Sequence, residues 1–314
     1  MQVVTLDQMN AVLPSIDLMA EIEAGFVAYS GGRAVVPPVG ELILKDPPGE
    51  VHIKYGYLSG DDHYVIKVAS GFAENAALNL PTSNGLMLLF SQQTGELVAV
   101  LLDEGVLTDI RTAVAGAIAA KYLAPPAVGR IGIVGAGIQA RLQLEYLAPV
   151  TDCRDVLVWG RDAARLEAYA AAMAPLGFNV ATTVDAGEIM TTCNLIVTTT
   201  PAEAPILVAP RPMAGTHITA VGSDTPAKQE LDSEILRGAD LVVADSISQC
   251  VQRGEIHKAL QLDAIRENDL VELGDIISGR VPGRTTDDQV TIADLTGVAV
   301  QDIQITKAVY AAIS

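Results

Sequence analysis

Apolar positions along the chain change their period twice. Residues 15–30 place Leu18, Ile22, Phe26 and Tyr29 at helical spacing, and Gly31-Gly32 ends the run. Beyond Pro37-Pro38 the apolar residues fall into short runs, which predict strands at 41–44, 51–57, 64–70, 86–91 and 96–102, separated by turns at 46–49, 60–62 and 92–95. This stretch reads as α+β with a largely antiparallel sheet. An Ala-rich helix over about 109–123 follows and is stopped by Pro125-Pro126. From Gly129 onward strands and helices alternate, with strands at 130–134, 155–159, 179–182, 194–199, 217–221 and 241–244. That rhythm predicts a parallel, doubly wound sheet. The last segment, 297–313, predicts a helix with Val298, Ile305, Ala308, Val309 and Ala312 on one face, and Gln301 and Asp302 fall on that same face. Polar groups there need partners, so they are either satisfied core residues or part of a site.

A chain of 314 residues, half of them apolar, implies two domains, and four Phe with one Trp leave their cores to Ala, Val, Leu and Ile. A formal net charge of −18 repels phosphate backbones and anionic lipid, which argues against nucleic-acid and membrane-surface partners. An anionic cofactor stays open, because a Gly-rich turn with one or two Arg reverses the field locally. Cys153, Cys193 and Cys250 are too far apart for a metal site or a disulfide framework and read as buried free thiols. The first residues carry Asp7, Asp17, Glu21 and Glu23 where a signal peptide needs basic and then apolar segments, and no run of apolar residues is long enough to span a bilayer. A cytoplasmic protein is expected.

The segment Arg130-Ile-Gly-Ile-Val-Gly135-Ala-Gly137-Ile-Gln-Ala140 joins a predicted strand to a predicted helix, 138–147, through GxGxxA. Gly135 makes the tight turn, Gly137 lets backbone approach a pyrophosphate, and Ala140 lets the helix sit close on the strand. Ile138 and Gln139 open the helix, whose positive end faces the phosphates. Twenty residues beyond Ala140, where an NAD-selective site carries Asp or Glu, stands Gly160, followed by Arg161. A missing carboxylate removes repulsion against a 2′-phosphate and a guanidinium grips one, so NADP(H) is favoured over NAD(H). Alternatively, Arg161 is a solvated loop residue paired with Asp162.

The segments IKVASGF (66–72), LPTSNGLMLLF (80–90), TGELVAVLLDEGVLTDIRTAVAGAIAAKYLAP (94–125), GIVGAGIQARLQLEYL (132–147), TAVGSDTPAKQELD (219–232) and DLTGVAVQDIQI (294–305) resemble the ornithine cyclodeaminase and mu-crystallin family, collinearly from about residue 50 onward. LTDIRTA together with GSDxPxKxELD is far more specific than the glycine turn. The resemblance implies a Rossmann doubly wound domain, 119–297, inserted into an α+β substrate-binding and dimerisation domain, 1–118 plus 298–314. It also implies a homodimer, a small amino or imino acid substrate lying against the nicotinamide between the domains, and no metal. By resemblance, Lys67 and Arg111 bind the substrate carboxylate, Asp224 is the acid/base beside the substrate nitrogen, and Lys228 supports it. Thr82, Asn84 and Thr112 line the cleft. Thr199, Val221, Ser223 and the Thr296-Gly297 turn lie at the cofactor.

Residue patterns alone leave other readings open. Lys67 has Val65 and Ala69 on its own face and passes for an exposed edge-strand lysine. Arg111 in a first helical turn opposes the macrodipole, which suggests a purpose such as a bidentate grip on a carboxylate. Asp224 and Thr225 before Pro226 resemble an ordinary helix start, and Asp224 with Lys228 an i,i+4 ion pair. One departure concerns the substrate: family members often carry an Arg just after the proline-containing segment, where this chain reads Pro37-Pro38-Val39-Gly40-Glu41. His52 or Lys54 on the next strand are its candidate replacements. The resemblance implies chemistry at the Cα–N bond, with ketimine reduction preferred. The alternatives are conversion of ornithine to proline and ammonia, and a crystallin-like protein that holds NADPH with little turnover.

Overall fold

The short apolar runs of the first third form most of one sheet. The computed structural model describes residues 1–208 and 212–314, and it divides into two units, Met1–Arg111 with Val298–Ser314, and Thr112–Gly297. The division falls at Arg111/Thr112 rather than at 118/119, inside the helix Val106–Leu123 that carries the chain from one unit to the next.

In the first unit, β1 (Gln2–Thr5), β2 (Ala34–Val35), β3 (Gly40–Lys45), β4 (Pro48–Leu58), β5 (His63–Gly71), β6 (Ser83–Ser91) and β7 (Leu97–Leu102) form a seven-stranded sheet of order β1-β7-β6-β5-β4-β2, with β3 also paired to β4. All pairs are antiparallel except β1 with β7. Alternation along the strands gives two distinct faces. The register row Lys54, Lys67, Met87, Leu101 and Val4 is buried. The next row, Tyr55, Ile66, Leu88, Val100 and Val3, lies on the opposite face, where Tyr55 and Val3 are exposed. The C-terminal helix Ala299–Ile313 packs on β4, β5 and β6 and against the helix Leu18–Ser30. Covered on both sides, it buries every residue from Ala299 to Thr306, including Gln301, Asp302 and Gln304.

In the second unit, β8 (Ile131–Val134), β9 (Asp155–Trp159), β10 (Asn179–Thr183), β11 (Leu195–Thr198), β12 (His217–Ala220), β13 (Leu241–Ala244), β14 (Val271–Glu272) and β15 (Thr291–Asp294) form an all-parallel sheet of order β10-β9-β8-β11-β12-β15-β13-β14. Strand order reverses between β8 and β11, the switch point at which open α/β sheets bind ligands. β15 was not foreseen, because Thr291-Ile-Ala-Asp294 mixes two polar residues into four buried positions. Those polar groups have work inside the sheet: Thr291 Oγ1 lies 2.8 Å from His217 Nδ1, whose Nε2 is 2.9 Å from Thr219 Oγ1. Burial and the nearby Arg284 push the His217 pKa down to about 3, so the ring is a neutral core residue.

Candidate active site

In the first unit, three cations and one carboxylate meet beneath β4 and β5. Lys67 lies on an interior strand and is 2 % exposed, so the edge-lysine reading does not hold. Its Nζ is 3.3 Å from Asp302 Oδ1 on the C-terminal helix. Arg111 Nε donates to the same oxygen at 2.9 Å, and its NH1 donates to Gln301 Oε1 at 3.0 Å. Lys54, also buried, stands directly across from Lys67. Burial, with Arg111 and Lys54 adding to it, lowers the Lys67 pKa to about 7 against the pull of Asp302. Burial opposes the charge on Asp302 too, but Arg111, Lys67 and Lys54 outweigh it and hold that carboxyl below the usual range. The helix carrying Arg111 starts at Val106, with Asp103 Oδ2 accepting from the Leu107 amide at 3.0 Å. Arg111 is therefore in the second turn, where opposition to the macrodipole fades. Its position is explained by Asp302 and Gln301 instead. Thr82 and Asn84 are exposed; Thr82 accepts from the Phe72 amide at 2.8 Å, and Asn84 Oδ1 accepts from the Gly85 amide at 2.7 Å. His52, the other candidate for the missing Arg, is buried 3.5 Å from both Glu41 and Glu50.

In the second unit, the turn after β8 has the form the glycines require. Gly135 has φ +114°, and a Cβ there would come 2.6 Å from Thr199 Oγ1. At Gly137 a Cβ would meet nothing within 4 Å, so backbone is exposed to open space at the start of the helix Ile138–Leu147. That space is a cavity of about 920 Å³ whose lining includes Gly135, Gly137, Gly160, Arg161, Arg165 and Thr199. Its size and its free helix N-terminus fit the pyrophosphate and adenosine of a dinucleotide. Asp162 does not pair with Arg161. Its Oδ1 caps the helix Ala163–Met173 through the Ala164 and Arg165 amides, and its Oδ2 is 3.8 Å from Arg165 Nε. Arg165, five residues beyond Gly160, is a cavity residue that no sequence signal marked. Ile138 is 58 % exposed.

The segment after β12 carries Ser223 and Asp224. No helix begins at Pro226; the chain stays irregular from Val221 to Glu230, which corrects the helix-start reading. Lys228 Nζ still donates to Asp224 Oδ1 at 2.7 Å, Ser223 Oγ donates to the Lys228 carbonyl at 2.8 Å, and Arg253 NH1 donates to the Asp224 carbonyl at 3.3 Å. Val221 donates its amide to the Thr198 carbonyl at 3.1 Å. Thr296 and Gly297 are held by Asp245, whose oxygens accept from Thr296 Oγ1 at 3.1 Å and the Gly297 amide at 2.7 Å. Thr112 accepts from Gln143 Nε2 at 3.0 Å. Among the described residues no group of His, Cys, Asp and Glu is arranged to hold a metal ion, and no helix is long and apolar enough to cross a membrane.

A doubly wound parallel sheet with a glycine turn and cavity at its switch point defines a Rossmann-type nucleotide-binding protein. Residues 2–314 match the model of the ornithine cyclodeaminase/mu-crystallin family, and the chain belongs to that family. It is 41 % identical over 309 residues to an uncharacterized cyclodeaminase of Sinorhizobium fredii, covering 97 % of this chain and 93 % of that one. An archaeal alanine dehydrogenase dimer solved with NAD superposes with a TM-score of 0.90 at 32 % identity, covering 99 % of this chain and 95 % of the other. The Δ1-pyrroline-2-carboxylate reductase of Thermococcus litoralis, solved with NADH and L-proline, superposes at 0.92 with 27 % identity, covering 99 % and 97 %. The chain is an enzyme of this family, whose members include dehydrogenases, reductases and cyclodeaminases.

Proposed function

We propose that this enzyme reduces a small cyclic or linear imino acid with a nicotinamide cofactor, taking NADPH in preference to NADH. The observation that carries the reading is the buried cluster of Lys67, Arg111 and Lys54 around Asp302. Three cations share one carboxylate, so a substrate carboxylate arriving among them gains charge-assisted hydrogen bonds and relieves cation repulsion. Lys54 takes the part of the Arg missing near Val39. The cofactor is assigned to Gly135, Gly137, Ile138 and Gln139 at the pyrophosphate, with Gly160 and Arg161 at the adenosine ribose. Thr112, Thr199, Val221, Ser223, Thr296 and Gly297 complete its site. No carboxylate stands at Gly160, Asp162 is committed to capping, and Arg161 and Arg165 flank the cavity, which together favour a 2′-phosphate.

A nicotinamide held in that cavity would supply hydride to the substrate Cα. Lys67, Arg111 and Lys54 orient that carbon by holding its carboxylate, with Thr82 and Asn84 beside them. Asp224 manages the proton at the substrate nitrogen, and Lys228, bonded to its Oδ1, holds that carboxylate in place. The product is the amino acid, one hydride and one proton richer than the imine.

The outward row Tyr55, Ile66, Leu88, Val100 and Val3 supports a homodimer formed through this face, because a contiguous apolar sheet face is costly in water. Ile66→Glu would then yield monomers in sedimentation equilibrium.

The deciding experiment incubates the protein with NADPH and pyrroline-2-carboxylate, and separately with ornithine and NAD. Reduction oxidises NADPH in step with proline formed, whereas ornithine yields little proline or ammonia. Catalytic proline and ammonia from ornithine without net change in nicotinamide absorbance would establish cyclodeamination instead. Nucleotide binding with no turnover on any imine would leave a crystallin-like NADPH carrier.

A further inference from the structure

Glu230 lies in the second unit with no exposed surface and forms no ion pair with any cation among the described residues. A carboxylate in such a place is costly unless its oxygens are fully hydrogen-bonded. All four bonds of its carboxyl group run to two neighbouring strand exits. Oε1 accepts from the Thr200 amide at 2.6 Å and from Thr200 Oγ1 at 2.8 Å. Oε2 accepts from Thr198 Oγ1 at 2.7 Å and from the Gly222 amide at 2.9 Å. Thr198 and Thr200 belong to the end of β11, where Thr199 and Thr200 line the nucleotide cavity. Gly222 follows β12 and leads directly into Ser223 and Asp224.

The two exits are pressed together under this carboxylate. A Cβ on Gly222 would fall 2.2 Å from the Thr200 carbonyl oxygen, 2.5 Å from its amide nitrogen and 2.6 Å from Glu230 Oε2. Glu230 is itself held from behind, because Glu255 accepts from the Glu230 amide at 2.7 Å and the Leu231 amide at 3.1 Å. Backbone amides cannot reverse, so Thr200 and Gly222 each demand an acceptor, and Oε1 meets the first while Oε2 meets the second. Only a side chain with two acceptor oxygens meets that demand.

We infer that Glu230 is a positioning residue which clamps the Thr200 exit to the Gly222 exit and so fixes the Ser223–Asp224 segment for proton handling at the substrate nitrogen. The inference rests on the acid/base role proposed for Asp224. Glu230 does not touch substrate or cofactor; it acts through Gly222 and Thr200.

Glu230→Gln keeps the shape but puts a donor where one amide needs an acceptor, and Gly222→Ala crowds the Thr200 backbone and Glu230 Oε2, forcing the exits apart while the carboxyl group itself stays chemically intact. Hydrogen exchange by mass spectrometry, NADPH affinity, and turnover of pyrroline-2-carboxylate should be measured for both. Amide exchange in 222–228 should rise at least tenfold while the helix Ile138–Leu147 is unchanged. NADPH Kd should rise by a smaller factor than kcat falls, kcat should fall at least thirtyfold, and the primary isotope effect from 4-deuterated NADPH should grow as hydride transfer becomes limiting. Wild-type exchange in 222–228 in either variant overturns the clamp, whether or not Asp224 is the acid/base. Parallel loss of NADPH affinity, melting temperature and kcat also overturns it, showing a merely structural carboxylate. Raised exchange with wild-type kcat refutes the catalytic consequence, and Asp224→Asn with full turnover separately refutes the Asp224 assignment.

Discussion

Lys54 and Lys67 stand directly opposite one another on β4 and β5, both buried, and Asp302 reaches Lys67 from the helix packed beneath them. Like charges in register oppose folding, and here a third cation, Arg111, shares the same Asp302 oxygen. Both Lys67 and Arg111 contact Asp302, which makes it the charge on which the cluster depends.

Asp302→Asn should therefore be strongly destabilising. Its carboxyl is held below the ordinary range, so its contribution is complete above the unfolded value near 4 and is lost as pH falls through the folded value. Removing one partner of a buried pair costs about 3–5 kcal/mol. Urea denaturation at pH 6, with Lys67 protonated, should show a loss in that range, and a smaller one at pH 9. A loss under about 1 kcal/mol, the worth of an exposed pair, would mean that the cluster is solvated.

Lys67 titrates near 7 when folded and near 10.5 when unfolded. Between those values the unfolded chain holds the extra proton, so this group's effect on stability becomes more favourable as pH rises from about 7 to 10.5. Carboxylate binding runs the other way, since only the protonated amine attracts it. KM for the imino acid should be flat below about pH 7 and climb above it, approaching about tenfold per pH unit. Lys67→Arg should flatten the climb. A KM independent of pH from 6 to 9 in the wild type would remove Lys67 from the carboxylate site.

These predictions depend on features that were unequally visible in the sequence. The turn at Gly135 and Gly137 was legible because strand period, turn chemistry and helix start are all local. Lys67 was not, since Val65-Lys67-Ala69 shows which residues share a face but not that β5 lies between β4 and β6. That fact depends on pairings distant in sequence. Asp302 stood out as a polar residue on an apolar helix face, yet its partners come from residues 67 and 111. At Asp224-Thr225-Pro226 the local capping chemistry pointed to a helix, but the hydrogen bonds of Asp224 run to Lys228 and Arg253 instead. Glu230 stands within GSDxPxKxELD, but its neighbours Gln229 and Leu231 do not reveal that its side chain is buried between two strand exits.

The proposed preference for NADPH rests on Arg161 and Arg165. Arg161→Ala should narrow the affinity gap between NADPH and NADH by about 1–3 kcal/mol, the worth of a charged hydrogen bond. The double variant with Arg165→Ala should narrow it further, and NADH binding should change little in either. Fluorescence titration of both cofactors measures this directly. Equal affinities in the wild type would show that neither guanidinium meets a 2′-phosphate.

Asp224 offers the sharpest test of the proposed chemistry, because its surroundings separate acid/base work from simple anchoring. Its Oδ1 accepts from Lys228 Nζ at 2.7 Å and its carbonyl accepts from Arg253. Asp224→Asn preserves the size of the side chain and the Lys228 contact through its remaining carbonyl oxygen. It removes only the ability to exchange a proton with the substrate nitrogen, a loss of about 10²–10⁴ in kcat. Lys228→Met leaves the carboxylate but releases it, so the fall in kcat should be smaller and NADPH affinity should be unchanged in both variants. Because the proton is needed in reduction and in cyclodeamination alike, Asp224→Asn should suppress whichever reaction the wild type performs. Retention of wild-type kcat by Asp224→Asn, with Lys228→Met impaired, would shift the proton-handling role to the lysine.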